Sequence, residues 1–538
     1  MLFRSSAVPA RVTIDFEDLD QRILALPIPR ANFAGLEVGK EGIVYTLTAP
    51  AALSDEDMLD VGEEGRPQTL FRFDLKDRKN TQLAEGVAPG SLSISSDGAK
   101  MLIGSKGGWK VAAADAPVKP GEGDVKLVKM AVWVDPAAEW RQMTNETWRI
   151  ERDFFYDAKL HGLPLERAKA LYARYLPGIA ARQDLNTLFQ EMTGQIEVGH
   201  MFVRGGTLPQ QGQARVGLLG ADYEIVDGHW RIARILRGEN WNPKLVAPLS
   251  QPGIAVHAGD FLLAVDGHPV TADQPIDRFL DGSAGSQVLL RVGPHADGSG
   301  AHDVTVVPVA SEAQLRLRDW MEANRRKVDA LSGGRLAYVY LPDTQSGGFA
   351  NFNRYYYAQV GKQGVVIDER FNHGGDIADS IVDELMRKPQ MLNASREGET
   401  VMEPAQAIFG PKVMIINEMS GSGGDALPWL FQKNAVGPLV GERTWGGLVG
   451  IGGYPSLIDG GTVQAPRWAL YGTRGQWEVE NIGIAPDVEV RQDPELVRQG
   501  NDPQLERAVA EALALLAKNP APTYAVPAYP DKHPVLPQ

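Results

Sequence analysis

Residues 413–425 read V-M-I-I-N-E-M-S-G-S-G-G-D, a short apolar run that breaks into alternating serine and glycine. The composition of residues 413–416 predicts a buried strand, and residues 420–425 predict a tight turn that holds a hydroxyl. A helix is predicted next, over residues 426–432. Because open α/β sheets place their chemistry at the carboxyl ends of strands, this turn is a candidate site for a nucleophile.

Composition limits the classes of protein to which the chain can belong. Its 538 residues are too many for one hydrophobic core and predict about three or four domains. A net charge of −14 without a compensating basic block argues against nucleic acid as a partner. The absence of cysteine excludes disulfides, thiolate metal sites and a cysteine nucleophile; it suits an oxidising compartment or a protein with no use for thiols.

The hydropathy pattern argues against membrane insertion. The first eleven residues contain no apolar stretch of signal-peptide length, and no run approaches the roughly 18 apolar residues of a spanning helix. We therefore expect a cytoplasmic protein. The alternative is a periplasmic location, if the natural N-terminus is longer and includes a signal peptide.

Residues 1–118 predict antiparallel β-structure. Alternating apolar residues recur over residues 42–47, 70–77 and 91–103, and Asp97-Gly98 is a hairpin signal. The Ser-Asp-Gly motif before an apolar strand resembles a β-propeller blade. About a hundred residues hold only two or so blades, fewer than a closed propeller needs. The prediction is a partial β-propeller, either in a chain that is the C-terminal part of a longer protein, which we favour, or as the remnant of a decayed propeller.

Two small domains are predicted next. Residues 130–208 show helical periodicity and end in a strand or tight turn that includes His200. Residues 209–311 resemble a PDZ domain, with a V-G-L-L-G loop and a G-D-F-L-L-A-V-D-G hairpin. The resemblance implies that Leu218, Leu219 and Gly220 offer backbone N–H groups to the C-terminal carboxylate of a peptide. The alternatives are a rigid spacer and a small β-domain without a ligand.

Residues 312–492 predict an α/β domain. A helix over 312–331 precedes buried strands near 336–341, 364–368, 413–416 and 437–441, with helices predicted over 350–360, 378–386 and 427–434. Such alternation indicates a mainly parallel sheet covered by helices. Residues 493–538 predict a last helix, 502–518, and a Pro-rich tail that is extended or mobile. The predicted fold class is multidomain α/β and β.

Three segments of the predicted α/β domain fit a single reaction. D-E-R-F-N-H-G-G begins at Asp368, the Ser422 turn follows the next strand, and W-E-V-E-N-I-G-I-A-P-D-V begins at Trp477. With the preceding helical domain and PDZ-like insertion, this order resembles the C-terminal catalytic half of the tricorn protease family, over residues 130 to about 490.

The resemblance implies a site and a mechanism. Ser422 takes the place of the nucleophile, His200 that of the general base, and Glu480 that of the carboxylate which completes the network. Gly375 and Gly423 fall where the family forms its oxyanion hole. The implied activity is hydrolysis of peptides or unfolded polypeptides through an acyl-enzyme, without a metal or an organic cofactor, in a homo-oligomer that is a hexamer in the family.

The chain departs from the family pattern at two positions. Gly199 stands where the family usually has a serine that links the histidine to the glutamate, so the connection between His200 and Glu480 is open; a water molecule would be one bridge. Gly423 stands where an aspartate is frequent after the nucleophile. Ser420, His373 and Glu478 are the rival nucleophile, base and carboxylate, whereas Asp368, Arg370 and Asn372 are interpreted as structural.

Two other functions compete with this interpretation. A C-terminal processing protease has similar parts but uses a serine–lysine dyad, with its lysine in a G-x-x-T-x-G-K-G segment. The corresponding stretch here, residues 441–448, has Gly447 at the lysine position, and glycine cannot act as a base. The second alternative is a catalytically inactive peptide-binding scaffold that keeps the fold.

Overall fold

The computed structural model describes residues 14–50 except 18 and 24, 67–127, 132–208, 215–398, 400–520 and 522–533. The chain divides into two compact units, Met1–Ala131 and Val132–Gln538. The first eleven residues and the last five of the Pro-rich tail lie outside the described residues. Within the described ranges, no helix combines the length and the apolar character that crossing a membrane requires.

The first unit is a six-stranded antiparallel meander in which each strand pairs with the next. Its strands are β1 (Asn32–Val38), β2 (Ile43–Ala49), β3 (Gln68–Asp74), β4 (Lys79–Ile94), β5 (Lys100–Ser105) and β6 (Gly108–Ala113). The predicted Asp97-Gly98 turn joins β4 to β5, and the Gly98 amide donates to the Ser95 carbonyl at 2.7 Å. Antiparallel pairing is thus confirmed, and the assignment of residues 1–118 to propeller blades stays a prediction.

The second unit begins with three helices, α1 (Pro136–Phe154), α2 (Leu165–Ala173) and α3 (Arg182–Thr193). Asp135 caps α1 by accepting the Ala138 amide at 3.2 Å, and Pro136 takes the first helical position, where a missing N–H costs nothing. After α3 the chain forms a turn through His200, and strand β7 (Val203–Arg204) begins beyond it. The sequence predicted either a strand or a tight turn at His200, and the structure has a turn there.

The PDZ-like region is an antiparallel sheet in the order β13-β12-β10-β9-β8, with β11 paired to β10. Its strands are β8 (Ala221–Val226), β9 (His229–Ile235), β10 (Phe261–Val265), β11 (His268–Pro269), β12 (Val288–Gly293) and β13 (His302–Val306). The predicted hairpin is the β10–β11 turn, where Asp266 and Gly267 both have positive φ. Strand β8, which directly follows Gly220, lies at the edge of the sheet.

The remainder is an α/β fold around a five-stranded parallel sheet, in the order β14-β15-β18-β19-β23. Its elements are α4 (Ala313–Ser332), β14 (Leu336–Tyr340), α5 (Ser346–Asn351), β15 (Gly364–Asp368), α6 (Ala378–Leu385), β16 (Met391–Ala394), β17 (Thr400–Glu403), β18 (Lys412–Ile416), α7 (Gly423–Lys433), β19 (Leu439–Gly441), β20 (Val449–Gly450), β21 (Thr462–Val463), β22 (Trp468–Ala469), β23 (Val488–Glu489), α8 (Pro494–Arg498) and α9 (Pro503–Lys518). Every residue of β14, β15 and β18 is buried, as expected for strands covered on both faces.

The helix predicted over residues 350–360 differs from the structure. Helix α5 begins earlier, at Ser346, and passes at Phe352 into a π-helical turn, Phe352–Tyr356. Across this turn the Phe352 and Tyr356 rings stack with centroids 4.6 Å apart, and both side chains are buried.

Buried charges fasten the C-terminal helix to the sheet. Arg370, which is 2% exposed, donates to the carboxylates of Asp368 at the end of β15 and of Asp502 at the start of α9. The Asp502 carboxylate also caps α9 by accepting the Leu505 amide at 3.0 Å. The structural interpretation of Asp368 and Arg370 fits these contacts.

The topology brings the predicted segments together in two ways. Strands β15 and β18 are parallel neighbours, with Asp368 opposite Ile415, so the turns after both strands meet at one edge of the sheet. Strand β7, just beyond His200, pairs with β21 in the α/β fold, with Val203 opposite Val463. The histidine turn is thereby attached to the domain that contains Ser422.

Candidate active site

Ser422 occupies the sharp turn between β18 and α7. Its backbone has φ 60° and ψ −117°, an uncommon conformation for a residue other than glycine. Two hydrogen bonds hold this geometry, because the Ser422 amide donates to the Gly447 carbonyl and to the Asp425 carboxylate, both at 3.0 Å. Strain that the surroundings maintain in this way is typical of functional turns.

Ser422 lines a cleft of about 910 Å³ at the carboxyl edge of the sheet. The predicted residues His200, Gly375 and Gly423 line the same cleft. Ser420, the rival nucleophile, is fully buried, and its hydroxyl donates to the Glu369 carbonyl at 2.8 Å. Of the two serines in the turn, only Ser422 therefore faces the cleft.

His200 lies in the cleft wall with 7% of its surface exposed. Its backbone has φ 64°, and its ring packs against Trp445, with 5.3 Å between the ring centroids. Burial lowers the pKa of His200, since a charged imidazolium loses solvation there. The imidazole is thus neutral near pH 7 and can accept a proton. His373, the rival base, also lines the cleft but is exposed.

Glu480 connects to the histidine turn through the backbone. One carboxylate oxygen accepts the Gly199 amide at 2.6 Å, and the other accepts the Leu448 amide at 2.5 Å. Burial raises the pKa of Glu480. Glu478, the rival carboxylate, accepts instead from the Trp429 indole and pairs with Lys433, both at 3.0 Å. Glu480 is thus linked to the histidine turn by the backbone amide of Gly199, at the position where the family pattern has a serine side chain.

The backbones of Gly375 and Gly423 lie close together, next to Ser422. A Cβ added to Gly423 would lie 2.6 Å from the Gly375 nitrogen and would overlap the Thr344 hydroxyl. A Cβ added to Gly374 would lie 2.5 Å from the Ser422 Cβ, so the two turns touch. Within the described part of the chain, neither the Gly375 nor the Gly423 amide donates a hydrogen bond. Two free N–H groups beside a serine can hold an oxyanion.

Asp425 is a site residue that the sequence did not single out. It is fully buried, and its carboxylate accepts the amides of Ser422, Gly446 and Gly447 at 2.9–3.0 Å and the hydroxyl of Thr444. It therefore joins the nucleophile turn to the loop that contains Trp445. Burial raises its pKa, and these donors oppose the rise. Its position three residues after Ser422, in the first turn of α7, was the available signal.

The cleft also contains charged side chains at its rim. Arg204 lies on the side of the histidine turn, and Asp376 and Asp379 lie beside the Gly375 turn. Within the described residues, no group of three histidine, aspartate or glutamate side chains is arranged to hold a metal ion.

Comparison with known proteins assigns these regions to families. Residues 136–194 match the model of the tricorn protease C1 domain, residues 217–311 that of the tricorn protease PDZ domain, and residues 335–490 that of peptidase family S41. The PDZ prediction is confirmed by the second of these matches.

Individual relatives agree. Tricorn protease homolog 1 of Streptomyces coelicolor is 37% identical over 95% of this chain and 48% of its own length. The putative tricorn-like protease C-terminal subunit of Sulfurisphaera tokodaii is 32% identical over 94% of this chain and 58% of its own length. The chain thus spans about half the length of these curated relatives.

A solved structure shows the same fold. The crystal structure of the tricorn protease superposes with a TM-score of 0.81 at 27% identity, over 90% of this chain and 46% of that one. Domain order, family models and the superposition all lead to the same assignment. The chain belongs to the tricorn protease family.

Proposed function

We propose that the chain is a serine peptidase that hydrolyses peptides or unfolded polypeptides through an acyl-enzyme on Ser422. The observation that carries this proposal is the cleft itself: it is lined by Ser422, by the buried His200 and by two glycine amides that donate to no acceptor among the described residues, although these groups come from separate segments. Family membership supports the same reaction class.

The reaction begins with proton transfer from Ser422 to His200. The Ser422 oxygen attacks the carbonyl carbon of the substrate as the imidazole takes the hydroxyl proton. The amides of Gly375 and Gly423 donate to the oxyanion of the tetrahedral intermediate, each worth ~3–4 kcal/mol in such sites. The C–N bond then breaks as the imidazolium returns the proton to the leaving amine. Water releases the acyl group by the same steps, again with His200 as base.

Glu480 serves as a positioning residue in this scheme. It holds the Gly199 amide and the Leu448 amide, and so fixes the turn of His200 against the loop that follows Gly447. Asp425 positions Ser422 from the other side of that loop. Together the two carboxylates fix the base and the nucleophile on one short stretch, residues 444–448.

The lysine-dyad alternative lacks a base in this site. Residue 447, the position that would hold the lysine, lies next to the nucleophile, because the Gly447 carbonyl accepts the Ser422 amide. In this chain that residue is a glycine, which has no side chain to act as a base. Among the described residues, no lysine lines the cleft. An activity probe distinguishes the proposed peptidase from the other alternative, a catalytically inactive peptide-binding scaffold.

A fluorophosphonate probe tests the assignment of Ser422. We expect the wild-type chain to be labelled and Ser422→Ala to remain unlabelled, because only a serine activated by a neighbouring base reacts rapidly with such a probe. Ser420→Ala is the matched control and should label normally. Labelling of Ser422→Ala would refute the nucleophile, and a wild type that resists the probe would favour the scaffold.

Homo-oligomerisation and a cytoplasmic location complete the proposal. The assembly rests on the family resemblance, with a hexamer expected, whereas the location is the expectation drawn from the hydropathy pattern. Multi-angle light scattering of the purified chain measures the assembly directly.

A cleft of about 910 Å³ is large enough for an extended segment of several residues.

A further inference from the structure

The G-L-L-G loop of the PDZ-like domain already binds a carboxylate. The Gly220 amide donates to the Glu312 carboxylate at 2.7 Å, and this contact is buried. Glu312 is 7% exposed, although a glutamate at a helix start usually faces water. It precedes α4, the helix that leads from the PDZ-like domain into the parallel sheet.

A second amide of the loop is also engaged within the chain. Leu218 and Val309 exchange a pair of backbone hydrogen bonds, at 2.8 and 2.9 Å. The Leu219 side chain is buried in the core of the PDZ-like domain. Of the three amides that the sequence assigned to a peptide carboxylate, those of Leu218 and Gly220 therefore have partners in this structure.

The edge strand beside the loop is covered in the same way. Arg316, one turn into α4, donates to the Ala221 carbonyl at 3.3 Å and to the Asp222 carboxylate at 2.7 Å. The same guanidinium donates twice to Glu312, at 2.6 and 2.9 Å. A peptide that added a strand to β8 would need the Ala221 carbonyl and the Gly220 amide together.

We propose that the Leu218–Gly220 loop is a carboxylate site whose resident ligand is the Glu312 side chain, and that this internal ligand excludes the C-terminal carboxylate of a peptide. An incoming carboxylate would have to displace a buried hydrogen-bonded one or lie beside it, and two like charges at one poorly solvated site repel strongly. The loop then serves to fasten α4 to the PDZ-like domain. This inference does not depend on the peptidase activity.

Binding of labelled peptides to the full chain tests the proposal. All variants are made with Ser422→Ala, so that the probe is not cleaved. The probe is a fluorescent pool of peptides with apolar C-terminal residues, used with a free carboxylate and, separately, as the amide. Removal of the internal ligand by Glu312→Ala should strengthen binding of the free-acid pool about tenfold and leave the amidated pool unchanged.

Glu239→Ala provides the matched control. Glu239 is also 7% exposed and also joins the PDZ-like domain to α4, through Arg318; within the described residues its carboxylate pairs with Arg318 and Arg354 and accepts no amide of the loop. It should leave binding unchanged. The proposal would be overturned by equal gains in affinity in both variants, by a gain that is also seen with the amidated pool, or by no gain in Glu312→Ala. If Glu312→Ala does not fold, Glu312→Gln decides: it removes the resident charge and keeps the side-chain shape, so a gain of about threefold is expected for the free-acid pool, whereas none would overturn the proposal.

Discussion

The chain contains two loops whose backbone amides can bind an anion, and they are in opposite states. At the cleft, the amides of Gly375 and Gly423 have no acceptor within the described residues and lie next to a serine. In the PDZ-like domain, the Gly220 amide is taken by Glu312 and the Leu218 amide by Val309. One loop is open to a ligand, and the other has become part of the scaffold.

The difference lies in what surrounds the amides. The carboxylates of the active site, Asp425 and Glu480, accept other donors, and neither accepts the Gly375 or the Gly423 amide within the described residues. One oxygen of the Glu312 carboxylate accepts the Gly220 amide, and Arg316 holds the carboxylate in place by donating to the other oxygen. A glycine-rich loop therefore indicates capacity to bind an anion, and the neighbouring carboxylates decide whether that capacity is available to a substrate.

Removing His200, the proposed general base of the cleft, should have the largest effect on activity. We expect His200→Ala to lower kcat by about 10³–10⁴-fold while the fold is retained, because the Ser422 hydroxyl then has no proton acceptor. Single-turnover hydrolysis of a fluorogenic peptide measures the change. His373→Ala, an exposed histidine of the same cleft, is the control and should retain most activity; the reverse pattern would transfer the role to His373.

Asp425→Asn should disturb the geometry of the active site, although it replaces none of the groups that take part in the reaction. An amide group at this position must point N–H groups at some of the four donors, so the Ser422 turn and the 444–448 loop lose their common anchor. We expect kcat to fall by about 10²-fold with KM nearly unchanged, and the free energy of unfolding to fall by ~1–3 kcal/mol. A fall in stability alone, with normal kcat, would contradict the positioning role.

The parallel sheet and the order of the catalytic segments could be predicted from the sequence, because strands such as residues 413–416 are continuously apolar and bounded by clear turn signals. The attachment of His200 could not. It depends on β7 and β21, which have two residues each and therefore show no periodicity. The donors to Asp425 from residues 444–447 and the hydrogen bond from Gly220 to Glu312 could not be predicted either, since hydrogen-bond partners far apart in sequence leave no local pattern.

The pH dependence of the open site should follow His200. Only its neutral form accepts a proton, and burial lowers its pKa below the ordinary value near 6.5. We expect kcat/KM to rise with pH along a limb whose midpoint lies below 6.5, and to fall about tenfold for each pH unit below that midpoint. Because the unfolded histidine binds its proton more readily, stability should also decline as the pH drops through 6.5 towards the lowered pKa. A midpoint above 6.5 would refute the assignment.

Gly199→Ser offers the smallest change and the finest test of how the base is held. An added Cβ would lie 3.1 Å from the Glu480 oxygen that now accepts the Gly199 amide and 3.2 Å from the Gly447 Cα, so both neighbours must move by a few tenths of an ångström. The new hydroxyl can then donate to Glu480 as well, and we expect kcat/KM to rise by about two- to threefold. Glu480→Gln in the same background should cancel the gain. If the serine leaves kcat/KM unchanged, the backbone hydrogen bond already positions His200 as well as the side chain would, and the glycine costs this chain nothing.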